Sequence, residues 1–131
     1  MKIPALHEFV LDQEDQIWKA PYASIGCDLS IKDDDGRPIS GGHSFLCRAI
    51  KELDTIMSTS HNYITAFCHG KDIGEGAQFE LIELCSSYRR GTEILVVYIH
   101  YTQDVYGLWT VELTWDQINK WSAVAFGRQN W

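Results

Sequence analysis

The sequence Ile-Leu-Val-Val-Tyr-Ile-His-Tyr, residues 94 to 101, is the most continuous β-branched and aromatic run in the chain. It predicts a strand, because such side chains fit a pleated and partly buried surface. Residues 108 to 115, Leu-Trp-Thr-Val-Glu-Leu-Thr-Trp, alternate apolar and polar side chains and predict its partner. The link from Thr102 to Gly107 contains an aspartate and a glycine and has about the length of a hairpin loop. Together the two runs predict a β-hairpin.

The residues that follow the hairpin predict a helix. Thr114 stands three residues before Gln117, which matches a capping box, and Asp116 would lie in the first turn. Gly127 can serve as the stop signal. One face of this helix would hold four residues, Ile118, Trp121, Val124 and Ala125. Trp121 is therefore expected to be a core residue packed on the sheet.

An alternating segment and an amphipathic segment lie in the first half of the chain. Residues 23 to 32 alternate apolar and polar side chains and predict a half-buried strand. This strand would end at the turn Asp-Asp-Asp-Gly-Arg-Pro, residues 33 to 38. From Phe45 to Met57 apolar residues recur at steps of three and four, which predicts a helix from about His43 to residues 58–62.

Shorter apolar runs predict strands near residues 7 to 12, 63 to 69 and 77 to 85. The resulting order is β-β-α-β-β-β-β-α, with short links and no repeated strand-helix-strand unit. Such an order favours an antiparallel sheet with helices packed against it. The prediction is an α+β fold: one domain over residues 1–131, with a mainly antiparallel sheet of five to six strands and two helices on one face.

The composition indicates one ordinary folded domain. A chain of 131 residues, 45% hydrophobic, can bury a single core. No apolar run reaches the roughly 18 residues of a membrane span and the N-terminus lacks a signal peptide pattern, so a soluble cytoplasmic protein is expected. The net charge of −7 argues against direct nucleic-acid binding. Four cysteines without Cys-x-x-Cys spacing are expected to be reduced and packed: Cys27, Cys47, Cys68 and Cys85.

No motif predicts catalysis, a metal or a cofactor. Cys68 and His69 would point to opposite faces of a strand, so they are not expected to act together. His43 and Cys47 are four residues apart on one helical face and could meet, as a nucleophile and its base must. A zinc site would have to combine distant residues without the paired spacing of structural zinc: His61, Cys68 or His69, Cys85 and His100.

Acidic side chains are expected to be solvated. The aspartates of residues 33–38 lack the alternate spacing, central glycine and distant glutamate of a helix-loop-helix calcium site. Glu80, Glu83 and Glu112 are expected on the open face of the sheet. Alternation places Glu112 on the side opposite the tryptophans of its strand, which argues against carboxylates paired in an apolar cleft.

The size, the acidity and the segment VELTWDQINKW, residues 111 to 121, resemble the immunity proteins of bacterial polymorphic toxin systems, including contact-dependent growth inhibition. This resemblance implies a cognate protein toxin as the partner, often a basic nuclease domain, whose active site is blocked by tight binding. Complementary charge would raise the association rate and help to select the partner.

The N-terminal third is the predicted contact surface, because it contains eight acidic residues and only three lysines. Its proposed partner-binding residues are Glu14, Asp15, Trp18, Asp28, Asp33, Asp34 and Asp35, with Trp18 or Tyr22 as exposed aromatic anchors. One alternative is a small enzyme or ligand-binding domain with a pocket between sheet and helices, using His43, His69 or His100. Another is a subunit that dimerises through a sheet edge.

Overall fold

The computed structural model describes residues 2–68, 73 and 77–131, and these form an α+β fold. A 3-10 turn at Leu6–Glu8 is followed by β1 (Val10–Asp12), β2 (Ile17–Tyr22), β3 (Cys27–Asp34) and β4 (Arg37–Pro38). Two helices come next, α1 (Gly42–Lys51) and α2 (Leu53–Phe67). The chain ends with β5 (Phe79–Arg89), β6 (Thr92–Tyr101), β7 (Gly107–Asp116) and β8 (Lys120–Asn130). No helix among these residues is long and apolar enough to cross a membrane.

The described strands form one eight-stranded sheet in the order β1-β2-β3-β5-β6-β7-β8, and β4 pairs with β3. Every neighbouring pair is antiparallel except β3 and β5, which are parallel. A parallel pair needs a long crossover, and the two helices supply it. The predicted α+β class and the mostly antiparallel sheet are confirmed, whereas five to six strands was an undercount.

The central hairpin is confirmed, but the helix predicted after it is wrong. β6 and β7 pair from Leu95 opposite Leu113 to Ile99 opposite Trp109. The chain then turns and returns as β8, which pairs with β7 along its whole length. Asp116 Oδ1 accepts hydrogen bonds from the backbone N–H groups of Ile118 (2.8 Å) and Asn119 (2.6 Å). The residue read as a helix-starting aspartate therefore builds a tight turn between two strands.

The helical segment predicted from His43 is confirmed, but it consists of two helices, α1 and α2. The strand predicted at residues 63–69 is wrong. Glu52, with φ −122° and ψ 34°, separates α1 from α2. Residues 63–67 belong to α2, Cys68 follows it, and His69 lies outside the described residues. Tyr63 and Phe67 pack on Phe126 of β8. This contact with a distant strand overrides the strand preference of the segment.

The core lies between the helices and one side of the sheet. Strand alternation directs these fully buried residues to that side: Leu29, Ile31, Leu84, Leu95, Val97, Val111 and Leu113. Buried residues of α1 and α2, among them Leu46, Ile56 and Ile64, complete the same core cluster. Trp121 is buried, as expected, but it reaches Phe45 from β8. Its indole Nε1 also donates to Glu52 Oε2 at 2.9 Å.

Candidate functional site

One side of the sheet carries no helix among the described residues, and we call it the uncovered face. Cross-strand partners point to the same side of a sheet, so the register identifies its members. Lys19 pairs with Ser30, Ser30 with Cys85, Asp28 with Glu83, and Glu83 with Tyr98. These residues form a polar band across the four neighbouring strands β2, β3, β5 and β6.

Glu83 lies at the centre of this polar band. Its side chain is only 15% exposed, so the expectation of a fully solvated glutamate is wrong. Ser30 Oγ donates to Glu83 Oε2 at 2.6 Å, and Lys19 Nζ lies 3.9 Å from Oε1. A bulge between Leu81 and Glu83 shifts the register, and this shift places both Glu80 and Glu83 on the uncovered face.

The electrostatics of the band show an excess of negative charge. Burial raises the pKa of Glu83, and the carboxylates of Asp28 and Asp15 raise it further, against the opposing effect of Ser30 and Lys19. Burial and the neighbouring Cys85 and Glu83 also raise the pKa of Tyr98 to about 12. Asp28 is exposed and stands directly beside Glu83 in the register of the parallel pair. The effect of Lys19 and Ser30 on Glu83 is therefore smaller than the combined effect of burial and the neighbouring carboxylates.

The remaining acids of the uncovered face differ in how they are held. Arg89 Nη2 donates to Glu112 Oε2 at 2.7 Å, and the Glu112 side chain is 17% exposed, so this carboxylate is paired. The Glu80 side chain is 68% exposed and fits the solvated glutamate that was expected. Glu112 lies on the face opposite Trp109, as alternation predicted. Glu83, by contrast, is mostly buried, and the Ser30 hydrogen bond and Lys19 oppose the rise of its pKa without cancelling it.

The structure divides the acids that were predicted to bind a partner. Asp15 and Asp28 belong to the surroundings of Glu83, as the pKa of that group shows. Glu14 is exposed in the turn between β1 and β2, and Asp34 and Asp35 are exposed near the β3–β4 turn. Asp33 is held internally: its carboxylate accepts from Trp18 Nε1 (2.9 Å) and from the Gly36 N–H (3.2 Å). Its role is to fix the β3–β4 hairpin.

The aromatic residues predicted as exposed anchors are not exposed. Tyr22 is buried, and Trp18 is partly buried and packed against the core. Alternation explains both, because Trp18 pairs with Ile31 and Tyr22 with Cys27 on the helix side of the sheet. The uncovered face instead presents Tyr98, paired with Glu83. Local sequence patterns do not predict this position of Tyr98, because it depends on which strands become neighbours.

The predicted meeting of His43 and Cys47 is confirmed. Cys47 Sγ lies 3.9 Å from His43 Nδ1 on consecutive turns of α1. His43 Nε2 donates to the Pro4 carbonyl oxygen at 2.7 Å, which leaves Nδ1 as the acceptor that faces the thiol. Phe9 packs edge-on against the imidazole ring. The histidine therefore fastens the N-terminal segment to α1.

The ligands considered for zinc lie on two sides of the sheet. His61 Nδ1 is 2.9 Å from the hydroxyl of Tyr101 on the helix side. Cys85 belongs to the uncovered face, and so does His100, which pairs with Glu80. Within residues 2–68, 73 and 77–131 no group of three potential ligands converges on one point. All four cysteines are free thiols, and Cys27 and Cys85 are buried.

Clefts open between α1 and the sheet and at the β5–β6 end of the sheet. One of about 410 Å³ lies between α1 and the sheet and is lined by Gly41, Ser44, Phe45, Arg48, Thr92, Glu93 and Trp115, without histidine or cysteine among these residues. The Arg48 guanidinium lies 3.7 Å from the centre of the Trp115 ring. The second, of about 670 Å³, includes His100, whose Nδ1 is 3.7 Å from Glu80 Oε1.

No protein-family model, curated protein or solved structure matches this chain. Function is therefore inferred from the residues themselves. The feature that the sequence analysis missed is the partial burial of Glu83 beside Asp28 and Ser30. The only sequence signal for it was the alternation of β3 and β5, and that signal does not reveal which strands pair.

Proposed function

We propose that this protein is an immunity protein that binds and neutralises a cognate, basic bacterial toxin domain through its acidic surface. The observation that carries the proposal is the pair of carboxylates Asp28 and Glu83 on the uncovered face, with Asp15 of the β1–β2 turn close enough to raise the pKa of Glu83. The net charge of −7 and the resemblance of the chain to immunity proteins support the same partner class.

A basic partner fits this surface for a physical reason. Glu83 is largely desolvated and has neighbouring carboxylates, so an arginine or lysine of the partner gains charge-assisted hydrogen bonds there. Exposed Asp28 and Asp15 add long-range attraction, which raises the association rate at low salt. Glu14, Asp34 and Asp35 extend the acidic surface at the β1–β2 and β3–β4 turns. Trp18 and Asp33 do not contact the partner directly, and their hydrogen bond holds β2 and β3 together beneath the acidic surface.

The resemblance also implies where the toxin is encoded, namely directly upstream of this chain. To test this, the upstream protein is expressed in bacteria with and without this chain, and growth and complex formation are measured. We expect growth inhibition by the upstream protein alone, rescue by co-expression, and co-purification of the two chains. An upstream protein that neither inhibits growth nor binds this chain would contradict the immunity function.

Charge reversal tests the surface separately from the function. The double variant Asp15→Lys, Asp28→Lys should slow association with the upstream protein by roughly tenfold or more at low salt, and less at high salt, because steering is screened. Asp54→Lys at the exposed start of α2 is the control, and because it reverses one charge outside this face it should slow association much less than the double variant. Equal rates for the double variant and the unaltered chain would remove this face from the interface.

A second candidate function is small-ligand binding at the 670 Å³ cleft. It is favoured by His100, which donates from Nε2 to the Val105 carbonyl at 3.2 Å and faces Glu80 with Nδ1. A histidine fixed in this way can orient a polar ligand. A fragment screen by NMR on the unaltered chain and on His100→Ala tests it. Fragment contacts at this cleft that are lost in the variant are expected if the cleft binds ligands.

A further inference from the structure

The strand β8 ends the sheet and is long. It pairs with β7 from Asp116 opposite Lys120 to Gly107 opposite Asn130, with one bulge at Val124, and the described residues provide no neighbour on its other side. An edge of this kind presents a row of backbone donors and acceptors that can pair with another chain. The opposite edge of the sheet, β1, has only three residues. The two edges are therefore unequal, and β8 is the one that can extend the sheet.

β8 has few charged side chains to protect its edge from pairing with another strand. Natural edge strands are usually protected by charged side chains, lysine above all. After Lys120, the only charged residue of β8 is Arg128, and its guanidinium makes two hydrogen bonds to Asp104, at 2.7 and 2.8 Å. No aspartate or glutamate occurs between residues 120 and 131, although the chain has a net charge of −7. This edge is thus close to electrically neutral in a strongly acidic protein.

An apolar patch borders the same edge. Phe126 stacks on Phe67 of α2 with 5.2 Å between ring centres, and both rings are exposed, by 38% and 57%. Tyr63 contacts both rings, and Val124 on β8 is 51% exposed. At about 200 Å² for a whole aromatic side chain, the two phenylalanines alone expose roughly 200 Å². Unpaired backbone and exposed aromatic surface therefore occur together.

We propose that a second copy of this chain pairs with β8, antiparallel to it and about a twofold axis perpendicular to the sheet. Antiparallel pairing of identical strands is self-complementary, as a twofold interface requires. The axis keeps the helices of both copies on the same side of the continuous sheet. Phe67 and Phe126 of each copy then face those of the other across the junction. The interface combines a hydrogen-bond ladder with burial of the apolar patch.

The distribution of charge selects a second copy as the partner. Two chains of charge −7 repel each other, so they associate best through a surface without carboxylates. The strand order separates β3, with Asp28, from β8 by four strand spacings. Pairing through β8 places the two β3 strands nine spacings apart, roughly 43 Å at about 4.8 Å per spacing. This distance far exceeds the Debye length of about 8 Å at physiological salt.

Sedimentation velocity over a wide range of protein concentration tests the proposal on the full chain. The unaltered chain is expected to shift from monomer to dimer as its concentration rises. Val124→Lys adds a protective charge to the edge and should raise the dimer dissociation constant by about tenfold or more, which is a common effect of an interface charge. Val10→Lys is the matched control, because Val10 is an exposed valine, 70% exposed, on the other edge strand.

The outcomes separate this proposal from the alternatives. Dimerisation that Val124→Lys weakens and Val10→Lys leaves unchanged supports pairing through β8. A monomer at every concentration overturns the proposal, and so does a dimer that only Val10→Lys weakens. Circular dichroism and thermal unfolding of both variants show whether each remains folded. The variant Phe126→Ser provides a second test without a change of charge. It removes exposed aromatic surface and should also weaken the dimer. Neither result depends on toxin binding.

Discussion

Replacement of Asp28 by asparagine should stabilise the folded protein, because Asp28 and Glu83 are like charges in register on neighbouring strands. Strands lie about 4.8 Å apart, so the carboxylates are separated by roughly 6 Å. Coulomb's law then gives a repulsion of about 0.7 kcal/mol at the dielectric constant of water and about 3 kcal/mol at an effective value of 20. Asp28 is exposed and Glu83 is mostly buried. We expect a gain of about 1 kcal/mol at low salt.

Urea unfolding measures this gain. With a slope of about 2 kcal/mol per molar urea, the midpoint should rise by roughly 0.5 M at neutral pH without a change of slope. Added salt should reduce the difference between Asp28→Asn and the unaltered chain. Lower pH should also reduce it. The repulsion exists only above the folded-state pKa of Glu83, which burial raises above its ordinary value of 4.5, and it is lost as Glu83 becomes protonated.

The control is Asp35→Asn, at an exposed turn residue with φ 53° that asparagine adopts readily. It removes one negative charge far from Glu83 and should leave the urea midpoint nearly unchanged. Three results would refute the reasoning. These are a loss of stability in Asp28→Asn, an equal gain in Asp35→Asn, or a gain that persists at a pH where Glu83 is protonated. A stabilised variant that binds the toxin less well would indicate that the repulsion is kept for function.

Two further predictions concern packing and pH. Gly42→Ala should destabilise the protein by about 1–3 kcal/mol, because the new Cβ would lie 2.5 Å from Ile31 Cγ2 in the core; thermal unfolding measures it, and unchanged stability would show that α1 can move. The hydrogen bonds from Arg128 hold the pKa of Asp104 at about 2, below its ordinary 3.8. Asp104→Asn should therefore cost stability at neutral pH, and this cost should shrink as pH falls from about 4 to 2; a pH-independent cost would contradict an ionic role.

The candidate site could be predicted only in part. The N-terminal acids were recognised from composition, and Asp28 lies beside Glu83 on the uncovered face. Trp18, Tyr22 and Asp33 were assigned to the surface, but their positions depend on the pairing of β2 with β3. Glu83 is 55 residues away from Asp28 in the chain. Its burial beside Asp28 arises from the parallel pairing of β3 with β5, which local patterns do not encode.

The sequence by itself determined the elements whose side chains repeat strictly. The β6–β7 hairpin, the first helical segment and most of β3 follow from alternation or from helical spacing, since each of these repeats reflects burial on one side. Of the strand predicted over residues 23–32, residues 23–26 instead form a turn and β3 begins at Cys27. The acidity of the N-terminal third is likewise a property of composition.

Only the tertiary structure decided the state of residues 63–67 and of β8. Residues 63–67 have strand-like composition, yet they are helical because Tyr63 and Phe67 pack against Phe126. The segment after Asp116 carries helix-start signals, yet β7 pairs with it from Lys120 to Asn130 with a single bulge at Val124. In both places the local preference is worth about 1 kcal/mol or less per residue, and long-range burial and pairing outweigh it. The same physics placed Glu83 beside Asp28 and left β8 at the edge.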